Sequence, residues 1–146
     1  MKNETVTWSG KCKKGYASGD GILQYHRDDK KTDYYKGQMK NGKIFGKGVY
    51  KFGLGSESVG DKYEGDWINN KMEGKGKYSW ANGDVYIGDF KSGKPNGKGS
   101  YKWIDDEEYT GDVVDGRPNG RGTYKWANGD KYTGDIVNGK PHGKGI

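Results

Sequence analysis

The chain has 146 residues, of which 28 are Gly and 3 are Pro, with 29% hydrophobic and 32% charged side chains and a formal charge of +6. Gly costs about 1 kcal/mol per helical position, which excludes a helix bundle, and Gly without a triplet period or abundant Pro excludes collagen. No run reaches the roughly 18 apolar residues of a membrane-crossing helix, and 12 Tyr with 5 Trp are too many for a generic disordered chain.

Residues 1–8 carry no charged-then-apolar leader pattern, so an exported form would already have lost its leader. Cys12 is the only cysteine, which excludes an internal disulfide framework or a multi-Cys metal site and fits a reducing compartment. From Trp8 onward the sequence repeats. The first unit places Trp8, Gly10, Cys12, Gly15, Gly19, Gly21, Leu23 and Tyr25, and its exit, residues 26–34, holds four extra residues. The second places Tyr35, Gly37, Met39, Gly42, Gly46, Gly48, Tyr50 and Phe52, and its exit, residues 53–62, holds five extra. The period then settles at 23, from Tyr63 to Tyr86, Tyr109 and Tyr132. With that Tyr as position 0, Gly recurs at positions 2, 11 and 13, Tyr at 15 and Trp at 17 (Trp80, Trp103, Trp126). Position 4 reads Trp67, Phe90, Val113 and Ile136. The last unit stops at Ile146, position 14, as a truncated chain would. The expected organisation is one array over residues 1–146, with units starting near Trp8, Tyr35, Tyr63, Tyr86, Tyr109 and Tyr132 and no second domain.

The key residues alternate with period 2, which is strand patterning. Each unit reads as a β-hairpin, with strand A at positions 0–5, strand B at positions 11–17 and a loop between them. Pairing 0 with 15, 2 with 13 and 4 with 11 puts every key residue on one face. A three-residue connection, Ala81-Asn82-Gly83 or Ala127-Asn128-Gly129, then carries the same ladders into the next unit. On the other face, acids at position 3 (Asp66, Asp89, Asp112, Asp135; Gln38 in the second unit) oppose bases at position 12 (Lys47, Lys75, Lys98, Arg121, Lys144) on both sides. The expected fold is all-β: an elongated single-layer antiparallel sheet of about 11 or 12 strands, twisted, roughly 50–60 Å long at ~4.8 Å per strand. Large rings folded over bare Gly backbone let one sheet cover its own apolar face. That face is expected to be a concave, aromatic-lined groove.

The motif Y-x-G-x-W-x-x-G-x-x-x-G-x-G-x-Y, carried by Tyr63-Glu64-Gly65-Asp66-Trp67 and Gly74-Lys75-Gly76-Lys77-Tyr78, resembles the MORN (membrane occupation and recognition nexus) repeat. The resemblance spans about Trp8 to Ile146, with Trp8 for Tyr and Cys12 for Trp as departures in the first unit. It implies tandem β-hairpins in a single-layer array. It also implies roles in protein interaction, dimerisation or phospholipid association, with any catalysis residing in other domains.

No chemistry of its own stands out. Three G-x-x-x-x-G-K matches, at residues 37–43, 88–94 and 134–140, lack the required Ser/Thr and a strand-to-helix context, so they are repeat arithmetic. His26 and His142 fall in different units, Cys12 reads as a small buried packing residue, and Asp105-Asp106-Glu107-Glu108 as a solvated turn. No catalytic residue, metal site or cofactor is expected. The groove rings Tyr35, Tyr50, Tyr63, Trp67, Tyr78, Tyr86, Phe90, Tyr101, Tyr109, Tyr124 and Tyr132 form the core and are candidates to bind a helix or peptide of a protein partner. Position 8 makes a basic rim of Lys43, Lys71, Lys94, Arg117 and Lys140, a candidate for anionic phospholipid or an acidic partner. The opposite rim is acidic: Asp61, Asp84, Asp105, Asp106, Asp130. Nucleic acid is not expected, because bases and acids alternate on the strand face. Glycan binding and an accessory role in a larger enzyme are weaker readings. The terminal strands are unpaired edges through which copies could associate, and a cytoplasmic or peripheral-membrane setting is favoured.

Overall fold

The computed structural model describes residues 3–146; Met1 and Lys2, at the front of the stretch read above for a leader, lie outside the described residues. Among the described residues there is no helix, and thirteen strands form one open antiparallel sheet. They are β1 (Glu4–Trp8), β2 (Lys11–Lys13), β3 (Tyr16–Arg27), β4 (Lys30–Lys40), β5 (Lys43–Lys51), β6 (Lys62–Ile68), β7 (Lys71–Ser79), β8 (Val85–Lys91), β9 (Lys94–Lys102), β10 (Glu108–Val114), β11 (Arg117–Lys125), β12 (Lys131–Val137) and β13 (Lys140–His142). Spatial order follows chain order, except that both β1 and β2 pair with β3. The first strand A is thus split in two.

The ladders carry the expected register. Tyr63 pairs with Tyr78 and Gly65 with Gly76 inside a unit. Tyr78 pairs with Tyr86 and Gly76 with Gly88 across units. From the third unit onward the connections between units are the expected three-residue loops. Trp80 N–H donates to the Asp84 carbonyl at 2.9 Å and Gly83 N–H to the Trp80 carbonyl at 3.0 Å, with Gly83 at φ +102.

Three expectations are corrected. First, strand B begins at position 8 instead of 11. The turn inside each hairpin is only two residues long, both at positive φ: Asn69-Asn70, Ser92-Gly93, Asp115-Gly116 and Asn138-Gly139. This is the tight hairpin turn whose twist matches that of the strands. It fixes position 5 opposite 8 and 4 opposite 9, as in Ile68 with Lys71 and Trp67 with Met72. Beyond it, 2 must still meet 13, so strand B carries two surplus residues and bulges at positions 10–12. The 4-to-11 pairing therefore exists only between units, as in Gly74 with Phe90. Gly at position 11 is the bulge residue, with φ +70 at Gly74 and +120 at Gly120.

Second, positions 3 and 12 face each other as strand partners only between units. Lys47 pairs with Asp66, Lys75 with Asp89, Lys98 Nζ with Asp112 at 2.7 Å and Arg121 with Asp135 at 3.8 Å. Within the hairpin the same carboxylate accepts the backbone N–H that the bulge frees, from Lys75 to Asp66 (3.1 Å), Lys98 to Asp89 (2.9 Å) and Arg121 to Asp112 (3.0 Å). The lysine hydrogen bond first, then the N–H, hold the Asp89 and Asp112 carboxyls below the usual carboxylate range; Asp66 is lowered chiefly by Lys47. Third, the exit of the first unit is not a loop. It continues β3 and β4 to a two-residue turn at Asp28-Asp29, whereas residues 53–61 do form the expected loop.

Candidate interaction surface

The repeat motif is a packing device. Each position-0 ring lies flat on the two Gly columns of its own hairpin: a Cβ at Gly76 would overlap the Tyr63 ring, and one at Gly99 the Tyr86 ring. The phenol reaches the edge of the bulge and donates to the carbonyl of position 3. The distances are 2.9 Å for Tyr35 to Gln38, 2.9 Å for Tyr63 to Asp66, 3.0 Å for Tyr86 to Asp89 and 2.6 Å for Tyr109 to Asp112. The position-4 side chain then wedges between consecutive position-0 rings. Phe90 meets Tyr63 edge-on at 4.8 Å and Tyr86 at 5.3 Å; Trp67 meets Tyr35 at 5.8 Å and Tyr63 at 5.0 Å. These are favourable aromatic geometries, worth about 0.5–1.5 kcal/mol each beyond the area buried.

Tyr35, Tyr63, Tyr86 and Tyr109 are consequently 0% exposed, and Trp67 and Phe90 are buried. Of the eleven rings named from the sequence, these six form a floor. Tyr78 and Tyr101 are nearly covered, while Tyr50, Tyr124 and Tyr132 are half-buried. Cys12 is exposed, against the expectation of a buried packing residue. A position-4 side chain is buried by the Tyr of the preceding unit, and the first unit has none before it.

Burial raises the phenol pKa values of the floor, to about 12 for Tyr35, Tyr86 and Tyr109. The sign follows. The neutral phenol is favoured in the fold, so its stabilisation is complete below the ordinary value near 10 and is lost as pH rises through 12. In an alkaline absorbance titration the floor phenols should ionise only above the ordinary value near 10, together with loss of the β circular-dichroism signal. Floor phenols titrating near pH 10 in a folded protein would contradict this packing.

Above the floor runs a second row of rings from positions 15 and 17: Tyr25, Tyr50, Phe52, Tyr78, Trp80, Tyr101, Trp103, Tyr124 and Trp126. Consecutive centroids lie 6.4, 4.8, 6.1, 4.8, 6.0, 5.3, 5.6 and 5.0 Å apart. All but Tyr78 and Tyr101 are half-exposed. Tyr25, Phe52, Trp80, Trp103 and Trp126 were absent from the sequence-derived candidates, although their spacing was visible in it.

The acidic edge has structural duties. Asp33, Asp61 and Glu107 accept the phenols of Tyr50 (2.7 Å), Tyr78 (2.7 Å) and Tyr124 (2.6 Å). Asp33 and Asp61 also cap the following turn through Gly53 N–H and Ala81 N–H, both at 2.8 Å, and Asp84 accepts Ile104 N–H at 3.0 Å. Asp61 is buried, so it does not belong to a solvated rim. On the hairpin-turn edge Lys43, Lys71, Lys94, Arg117 and Lys140 are all exposed, and among the described residues none forms an ion pair. His26 lies on β3 and His142 on β13. Among the described residues no group of three or more His, Cys, Asp or Glu side chains is arranged to hold a metal ion.

A single-layer sheet of tandem hairpins, closed over by its own Tyr and Trp side chains, is a β-repeat array. The family model described as MORN repeat matches residues 35–56, 63–85, 86–107, 109–131 and 132–146, and the chain belongs to that family. The first unit, before Tyr35, lies outside the matched segments yet continues the same sheet through the pairs Leu23–Tyr35 and Gly21–Gly37. No curated protein matches the chain. MORN repeats are generally protein- or membrane-interaction modules and typically non-catalytic.

Proposed function

We propose that the chain is a non-catalytic docking module that binds a protein segment along its aromatic face. The continuous, half-exposed ring row carries this reading. The buried floor fixes the rows above it, so contact area is offered at little ordering cost, and aromatic anchors of this kind dominate binding energy. Tyr50, Tyr124, Tyr132 and the Trp column would touch the segment, with Tyr78 and Tyr101 beneath them. The floor rings Tyr35, Tyr63, Trp67, Tyr86, Phe90 and Tyr109 would hold the surface in shape. Peptides selected by display against the folded protein should lose about tenfold or more in affinity with Trp80→Ala or Trp103→Ala, each checked for folding by circular dichroism. Unchanged affinity in folded variants would sink the reading.

A second reading, association with anionic phospholipid, is favoured by the five unpaired bases on one edge. Vesicle co-sedimentation at low salt, with Lys71→Glu, Lys94→Glu and Arg117→Glu, tests it; no pelleting of the unaltered protein removes it. The edge strands β1 and β13 offer self-association, readable by sedimentation over a concentration series.

A further inference from the structure

We propose a small-molecule site at the start of the array, distinct from the docking of a protein segment: a cavity between the two long connections that takes a small organic cation of the quaternary ammonium type.

The repeat arithmetic points to the place. From Tyr63 onward the period is 23, whereas the exits of the first two units hold four and five extra residues. In the fold these two insertions are neighbours. The first prolongs the β3–β4 hairpin to its turn at Asp28-Asp29, and the second is the loop of residues 53–61. They are tied together. Gly53 N–H donates to Asp33 Oδ1 at 2.8 Å, and the Arg27 guanidinium reaches the Gly55 carbonyl at 3.5 Å. Between them, with β1 as a further wall, lies a cavity of about 320 Å³. Small-molecule sites span about 300–1,000 Å³. Insertions in repeat arrays commonly form the loops of a binding face.

The lining selects the ligand. The strand pairs Glu4–Arg27 and Val6–Tyr25 put these four side chains on one face. Val6 and Leu54 are exposed apolar walls, and the Tyr25 ring is half-exposed. Arg27 and Glu4 neutralise each other at 2.9 Å. Asp33 has no such partner. Its oxygens accept from the Tyr50 phenol at 2.7 Å and from Gly53 N–H, both neutral donors. Among the described residues no cation pairs with it. Its charge is felt at Tyr25, whose phenol pKa is raised by burial first and by Asp33 second. An uncompensated carboxylate beside an aromatic ring and apolar walls suits an organic cation, whose alkyl shell packs while its charge is attracted to ring and carboxylate. An anion would meet two carboxylates and a guanidinium that is already paired. A bare metal ion would lack ligands, since among the described residues no three His, Cys, Asp or Glu side chains gather to hold one.

The test compares choline with 3,3-dimethylbutan-1-ol, which has the same shape without the charge, by calorimetry and by amide chemical shifts. Choline should saturably shift the amides of residues 25–33 and 54–56 and bind about tenfold more tightly than the neutral alcohol. Asp33→Asn should bring choline down to the level of the alcohol. Tyr25→Leu should weaken choline severalfold, while Tyr25→Phe, which keeps the ring, should not. Val6→Trp, at a half-exposed position of the edge strand β1, should fill the cavity and abolish binding of both probes with the circular-dichroism spectrum unchanged. Should Asp33→Asn fail to fold for want of its Tyr50 and Gly53 contacts, the neutral alcohol and Val6→Trp still decide. Equal binding of the two probes overturns the cation. No binding of either, or choline shifts that persist in Val6→Trp, overturns the site. Peptide binding that depends on Trp80 and Trp103 is untouched by each of these outcomes.

Discussion

Gly76→Ala is expected to cost about 3 kcal/mol, the upper end for overpacking and a large share of a domain stability that is typically about 5–15 kcal/mol. The backbone at Gly76 is ordinary strand, so the penalty is steric. An added methyl would occupy the space of the Tyr63 ring and its phenol oxygen. That ring is 0% exposed and wedged by Trp67 and Phe90, and its phenol is tied to the Asp66 carbonyl at 2.9 Å. It cannot step aside without losing all of these. Gly129→Ala is the contrast. Nothing lies within 4 Å of a Cβ there, but the residue sits at φ +93, so only a left-handed backbone cost of about 1–2 kcal/mol is expected. A double-mutant cycle in urea identifies the cause. In a Tyr63→Ala background, the cost of Gly76→Ala should fall to near zero. An additive cycle would show that the glycine serves something other than the ring.

The same pair shows why so much of the fold was readable. A ring that needs bare backbone under it forces two residue types into fixed columns, so the 23-residue period carried the ladder register with it. Tyr63 opposite Tyr78 and Lys75 opposite Asp89 came from spacing alone. The hairpin interior did not, because a bulge is invisible to alternation. Both the assumed loop and the observed two-residue turn with a bulge place positions 0, 2, 13 and 15 alike. Only Asn69-Asn70 and its equivalents, typical occupants of tight turns with positive φ, hinted at the difference.

The candidate surface was less legible. Sequence lists Tyr63 and Tyr50 as equivalent rings in alternating columns, but one is floor and the other is surface. What separates them is the direction each ring leans along its strand. Tyr63 folds over its own hairpin toward the bulge carbonyl, and Tyr50 leans the other way to Asp33. Leu23 stands where later units have Tyr and Met39 where the third has Trp67, and in the sheet both line an apolar trough that the sequence reading did not single out.

Tyr86→Ala should be the most damaging single ring deletion, at about 3–5 kcal/mol, as for large aromatic residues removed from a core. Tyr86 is 0% exposed, contacts Phe90 at 5.3 Å and Tyr101 at 4.7 Å, and sits in the middle of the array. Tyr86→Phe, which leaves the Asp89 carbonyl without its phenol, should cost about 1–2 kcal/mol. Tyr132→Ala should cost less than Tyr86→Ala, because that ring is half-exposed and has the short strand β13 beyond it. In a stacked array each unit is stabilised by its neighbours, so a central defect weakens two interfaces and a terminal one weakens little more than its own end. Urea unfolding with hydrogen exchange distinguishes these cases. The Tyr86→Ala protein should lose cooperativity, with a smaller denaturant slope and faster exchange in β7–β10, while Tyr132→Ala should open only β11–β13. Equal midpoints for the two variants would contradict a nearest-neighbour array. Because floor deletions damage the sheet itself, lost binding in Tyr86→Ala would carry no information about contact with a partner. Only the half-exposed row can separate docking from folding.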